Sequence, residues 1–281
     1  MTKPQLPQIE AGGLTHVGLV REDNQDTIRL PDERLPREGE PDCGLLYALA
    51  DGMGGHAHGG LASSLALETL YTVFYGSAGA PAAGSPLKHL RRSVESANLS
   101  VYQAAQRMGA GRMGTTLTAL HLLGDTLHLA HVEDSRAYLV RAGRATCLTN
   151  DHTTVGELVR MKVLSADKVR GHAQRSILNK AIGLGLFVQP DLSTVRLQEG
   201  DRLVLCSDGV WSVIEDEEIA RLASEARAAP ALSHSLINLA LERETDDNVS
   251  AIAIHIERLA PAPAAAFHRE WGFFSSLRRL F

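Results

Sequence analysis

The apolar run Leu45-Leu46-Tyr47-Ala48-Leu49-Ala50, followed by Asp51-Gly52-Met53-Gly54-Gly55-His56-Ala57-His58-Gly59-Gly60, constrains the chain more than any other stretch. Six residues pass without a charge before turn formers begin, which is the pattern of a buried strand. The strand delivers a carboxylate, Asp51, at its end. Gly52, Gly54 and Gly55 carry no Cβ, so the backbone can approach closely whatever Asp51 binds. From Leu61 onward apolar residues recur at helical spacing, through Leu65, Leu67, Leu70, Val73 and Phe74. Strand, acidic end, glycine turn and helix suit a cation or a phosphate. Taken alone, the stretch is equally a tight turn with a solvated Asp.

The rest of the chain repeats the device. Asp26 closes Asn24-Gln25-Asp26, and Asp134 follows the apolar run ending at Val132. Asp208 follows Leu203-Val204-Leu205-Cys206-Ser207 and precedes Gly209, while Asp247 stands just before a final strand. A desolvated carboxylate is costly unless paired, and too few Arg or Lys flank these positions to pair them all. Hard divalent cations neutralise such a set, and all-oxygen donors select Mg²⁺ or Mn²⁺ over zinc.

At 281 residues and 44% hydrophobic content the chain holds enough apolar surface for one large core. A net charge of −5, from 28 basic and 33 acidic residues, argues against a nucleic-acid binder. Cys43, Cys147 and Cys206 lie far apart, which points to reduced thiols and a cytoplasmic setting. The first residues lack the apolar centre of a signal peptide, and no run has the length of a membrane span. A helix starts at Ser85-Pro86, read as a cap followed by proline at the first helical position. Short β-prone runs at 115–122, 126–131, 136–140 and 144–148 suggest an antiparallel meander. Helical patterns follow near 156–161 and 174–181, then strands at 192–197 and 202–206, helices at 216–225 and 232–242, and a strand at 250–256. The expected class is α+β, antiparallel sheets covered by helices.

Arg21-x-x-Asn24-Gln25-Asp26, Asp51-Gly52-Met53-Gly54-Gly55-His56, Gly114-Thr115-Thr116, Asp134-Ser135-Arg136-Ala137-Tyr138, Asn150-Asp151-His152, Ser207-Asp208-Gly209-Val210-Trp211 and Asp247-Asn248-Val249-Ser250 together resemble the metal-dependent type-2C Ser/Thr protein phosphatases of bacteria. The resemblance implies a central β-sandwich of two antiparallel sheets flanked by helices, with two Mn²⁺ or Mg²⁺ ions at one end and a third beside them. It covers roughly residues 13–257, so the expected division is an extension at 1–12, a catalytic domain at 13–259 and, by composition, a Pro/Ala linker at 260–266 and an aromatic, basic tail at 267–281. It further implies that Asp51 bridges the two ions, that the Gly52 carbonyl binds one, and that Asp208 and Asp247 complete the first. Asp26 then serves the second, and Asp134 with Asp208 holds the third. Arg21 would grip the substrate phosphate, a task that suits a planar fork of donors. Water shared by two ions would attack phosphorus directly, without a phosphoenzyme.

Met53 stands where animal members carry a general-acid histidine, so His56 is the nearest candidate to protonate the leaving group, against a purely structural turn role. His58 is read as exposed, and the roles of His152 and His172, in and before a variable flap, stay open. The cysteines are read as structural thiols. Two positions depart from the family's pattern. Glu133 replaces the usual glycine before Asp134 and either looks away, by strand alternation, or crowds and recharges the third-ion site. His172-Ala173-Gln174-Arg175-Ser176 replaces the flap's usual His-Pro-x-Arg-Asn. The implied partners are phosphorylated proteins and a cognate Ser/Thr kinase system, with no nucleic acid. The alternatives are a silent phosphoprotein-binding module and a phosphatase of an anti-anti-sigma type regulator. In the tail, Phe267, Trp271, Phe274, Leu277 and Phe281 share one helical face, which favours docking on a partner or on the chain itself over a membrane.

Overall fold

A computed structural model describes residues 8–31, 44–53, 57–76, 85–109, 113–165, 168–170, 172 and 179–259. Strand alternation with both faces apolar builds its centre. On β3 (Leu45–Met53), Leu46, Ala48 and Ala50 turn one way and Tyr47 and Leu49 the other, and all five are buried. A strand buried on both faces needs cover on both, which requires helix, sheet, sheet and helix in layers.

The remaining strands are β1 (Gln8–His16), β2 (Asp26–Arg29), β4 (Gly114–Thr115), β5 (Leu117–Leu123), β6 (Thr126–Val132), β7 (Arg136–Arg141), β8 (Arg144–Cys147), β9 (Asp191–Arg196), β10 (Arg202–Cys206) and β11 (Val249–Arg258). One sheet has the order β1-β11-β10-β7-β8, and the other has β2-β3-β5-β6-β9 with β4 paired to β3. Every pairing is antiparallel. Between the sheets Tyr47, Leu49, Leu120 and Leu129 meet Leu203, Leu205, Ile252 and Ile254. Outside the second sheet lie α1 (Ala57–Tyr75) and α2 (Pro86–Met108), contributing Leu67, Leu70, Leu90 and Val94. Outside the first lie α4 (Asp208–Trp211), α5 (Asp216–Glu225) and α6 (Ala229–Glu242), contributing Trp211, Ile219, Leu232 and Leu236. The short α3 (Thr154–Arg160) is capped by Thr153, whose hydroxyl oxygen accepts the Gly156 N–H at 2.9 Å. Among the described residues no helix is long and apolar enough to cross a membrane.

Several local expectations need correction. The four runs from 115 to 148 do not form one meander. β5 and β6 belong to one sheet and β7 and β8 to the other, so the chain crosses between sheets at residues 133–135. Residues 8–12, expected as an extension, belong to β1 and pair with β11; their Gly and charged content hid an edge strand. Ser85 occupies the cap position of α2 without a side-chain capping bond. Asn179 to Ala181, the end of the second helical pattern, is not helical. The linker, the tail, Cys43 and positions 173–178 of the flap lie outside the described residues.

Candidate active site

Asp26 and Asp51 are brought together by register, since they face each other as direct partners of β2 and β3. On β3, Asp51 follows Tyr47 and Leu49 on the face turned toward the other sheet, so its carboxyl sits at one end of the inter-sheet core. The strand does not end there: it runs on to Met53 by pairing with β4. At Gly52 the close approach is to the chain's own backbone, because a Cβ there would fall 2.1 Å from the Gly59 carbonyl oxygen. The missing Cβ at Gly52 makes room for α1 against β3.

The backbone of Asp51 is fully engaged. Its N–H donates to Thr116 Oγ1 at 2.8 Å, and its carbonyl accepts from the Thr116 N–H at 2.8 Å and from the Thr115 hydroxyl at 2.7 Å. The position of its side chain is thus set from the backbone. Asp208 opens α4 directly after β10, and Asp247 lies just before β11. Asp134 lies in the crossing between sheets, where its carbonyl accepts the Trp211 indole N–H at 2.9 Å. The Arg136 guanidinium stacks 3.8 Å from the centre of that indole and is itself held by both carboxyl oxygens of Asp151.

These five carboxyls act on one another. Burial pushes the Asp51 carboxyl well above the usual range, and the charges of Asp26, Asp208, Asp134 and Asp247 push it further. Asp208 is raised by burial and then by Asp134, Asp247 and Asp26. Burial lifts Asp134 to about 6. Burial also lifts Asp26 to about 6, with the Ser250 and Ser207 hydroxyls opposing it and Asp247 adding to it. Asp26 Oδ1 and Asp208 Oδ1 are buried with no hydrogen-bond partner.

Among the described residues no group of three or more His, Cys, Asp or Glu side chains is arranged to hold an ion as it stands. The donor chemistry nevertheless fits a divalent cation: the donors are all oxygen, Asp26, Asp51, Asp134 and Asp208 are desolvated, and two carry bare buried atoms.

Arg21 lies at the mouth of this end, with its side chain 53% exposed. Its Nη2 donates to Asp247 Oδ2 at 2.7 Å and its Nε to the Asp246 carbonyl at 3.1 Å. The predicted phosphate-binding residue is thus held on a predicted metal ligand. The loop carrying it is fixed by Gly18, at φ +85, where a Cβ would fall 2.2 Å from the Asp247 carbonyl oxygen. His56 lies outside the described residues. His58, expected to be exposed, is half-buried. Cys147 and Cys206 are free thiols whose pKa burial pushes up, which disfavours a thiolate nucleophile.

The protein phosphatase 2C family model matches residues 21–249. The chain belongs to the protein phosphatase 2C family. It is 35% identical over 240 residues to the serine/threonine protein phosphatase PstP of Mycobacterium tuberculosis, covering 85% of this chain and 43% of PstP. It is 30% identical over 246 residues to the protein phosphatase PhpP of Streptococcus pneumoniae, covering 88% of this chain and 97% of PhpP. Its fold matches a crystal structure of the PstP catalytic domain in complex with two manganese ions, with a TM-score of 0.74 at 31% identity over 89% of this chain and 99% of that one.

In this phosphatase 2C chain, sequence reasoning missed the residues that hold the carboxylates in place. Asn248 accepts the Gln25 N–H at 2.8 Å and donates to the carbonyls of Val17 at 2.8 Å and Asp23 at 3.0 Å, tying the Arg21 loop to β11. The Ser207 hydroxyl donates to Asp26 Oδ2 at 2.9 Å and accepts the Ser250 N–H at 3.0 Å, joining the two sheets at the site. Thr116 and Ser135 share a hydroxyl contact of 2.8 Å. All four stand inside the quoted motifs, so the signal was their position beside the aspartates.

Proposed function

We propose that this chain is a metal-dependent phosphatase that removes phosphate from phosphoserine and phosphothreonine in proteins, using Asp51, Asp26, Asp208, Asp247 and the Gly52 carbonyl to hold two Mn²⁺ or Mg²⁺ ions. The observation that carries this reading is the convergence of buried carboxylates from separate segments onto one end of the sandwich, two of them with bare oxygens. When bound, such ions lower the pKa of water toward neutrality and offset the charge of a phosphoryl group. Ser207 and Thr116 restrict the motion of Asp26 and of the Asp51 backbone, so the donors are fixed before substrate arrives. Arg21 leaves an exposed ion pair, worth little in water, to take a phosphate oxygen. His56 is the candidate to return a proton to the departing alkoxide.

The named relatives support hydrolysis over a silent binding module, which would retain a phosphopeptide and release no phosphate. The same reading places the chain in the cytoplasm beside a Ser/Thr kinase system, with residues 267–281 as a docking element for a partner. Arg21→Lys keeps the charge but loses the planar fork. Steady-state kinetics on a phosphothreonine peptide should show kcat/KM lowered about tenfold or more, with Mn²⁺ per chain unchanged. Loss of Mn²⁺ in that variant would instead make Arg21 a support for Asp247.

A further inference from the structure

We propose that Glu133 is an additional ligand, beside Asp134 and Asp208, for a third divalent cation; this rests on the acidic centre being a metal site. Glu133 occupies the crossing from β6 to β7 at φ +93, a conformation that favours glycine. There strand alternation no longer applies, and the side chain does not look away. His152 grips the Glu133 peptide from both sides: its Nδ1 accepts the Glu133 N–H at 2.9 Å, and its backbone N–H donates to the Glu133 carbonyl at 2.7 Å. His152 Nε2 lies 3.2 Å from Asp191 Oδ2, and Lys180 Nζ lies 3.6 Å from Asp191 Oδ1. A backbone conformation unfavourable to glutamate is therefore imposed by its surroundings.

The consequence is where the carboxyl goes. Glu133 is 2% exposed, and its Oε1 is buried with no hydrogen-bond partner, as is Asp208 Oδ1. Burial pushes its pKa well up, followed by the charge of Asp134 and a contact with it, and then by Asp208 and Asp151. The nearby cation, Arg136, is engaged by both oxygens of Asp151. Three desolvated carboxyls, two of them (Glu133 and Asp208) with a bare buried oxygen and none with a committed cation, form a donor set that a hard divalent ion relieves. They do not enclose an ion as they stand, so binding draws them inward. Two aspartates alone make a weak site, and a third carboxylate tightens it by charge count and by ligand count.

Calorimetric titration of the metal-stripped full chain with Mn²⁺ tests this, comparing wild type with Glu133→Gln and Glu133→Gly and using thermal melts to verify folding. Glycine suits φ +93, so that variant keeps the test open if glutamine disturbs the fold. The expected result is three ions on the wild type, with the weakest of them bound roughly tenfold or more weakly in both variants and the other two unchanged. Only two ions on the wild type, or a third bound equally or more tightly by Glu133→Gln, overturns the proposal and leaves the two-ion centre standing. A loss shared evenly by all three ions also overturns it, since that marks a general charge effect. No ion on the wild type overturns both readings.

Discussion

Asp208→Asn is expected to lower turnover of a phosphothreonine peptide by about a hundredfold or more at saturating Mn²⁺. Asp208 is proposed as a ligand of more than one ion; Asp134, Asp247 and Asp26 all act on it and its Oδ1 is buried without a partner. Asparagine keeps the size and the start of α4 but removes the charge that a divalent ion needs. The same change has the opposite effect on the metal-free fold. Removing one of several buried, mutually repelling carboxylates relieves repulsion, so the metal-free variant should melt at or above the wild-type temperature. Its gain on adding Mn²⁺ should be smaller. Near-normal turnover in a folded Asp208→Asn protein would contradict the assignment of this residue.

The second large effect is on how Mn²⁺ stabilisation varies with pH. Burial holds the carboxyls of Asp26 and Asp134 at about 6, against an ordinary value of 3.8. Between those values the folded chain holds protons that the unfolded chain has lost. The stability they contribute is fully present below about pH 4 and is lost as pH rises through about 6. His131 and His255 act in the opposite sense: burial lowers them to about 3 and about 4 from 6.5, so stability is lost as pH falls below about 6.5. The melting curve of the metal-free protein alone would mix the two.

Mn²⁺ separates them, since the ion replaces protons on the carboxylates and leaves both histidines where they are. His131 is bonded to Thr118 and the Asn150 carbonyl, and His255 lies beside Glu10. A shift of about two pKa units corresponds to about 3 kcal/mol per carboxyl before allowance for coupling. The melting-temperature gain from saturating Mn²⁺ should therefore be at least about 5 °C larger at about pH 7 than at about pH 4.5. A gain independent of pH would mean that the ion binds elsewhere.

The sequence marked each aspartate of the centre but not the way they are held. Asp51 and Asp208 were legible because an apolar strand delivers each one, and strands announce themselves by charge-free runs. The pairing of Asp26 with Asp51 was not, since register depends on a partner strand only four residues long. The crossing at Glu133 was read as a hairpin meander, because four β-prone runs in succession carry no mark of which sheet each joins. That error also hid the side chain's direction: alternation holds within a strand, and residue 133 is outside one. Asn248 and Ser207 were passed over as motif neighbours because their bonds to the Arg21 loop and to Asp26 span 181 to 231 residues of sequence. The edge strand β1 went unseen for a simpler reason, its residues being short of β-branched character.

The central claim is that the carboxylate end of the sandwich works only through divalent ions. Phosphate release from a phosphothreonine peptide by the metal-stripped chain, followed as Mn²⁺ is added back, tests it most directly. The expected result is no release above background without metal and recovery that saturates with Mn²⁺. Release that persists under excess chelator, from a chain shown to carry no bound metal, would contradict it.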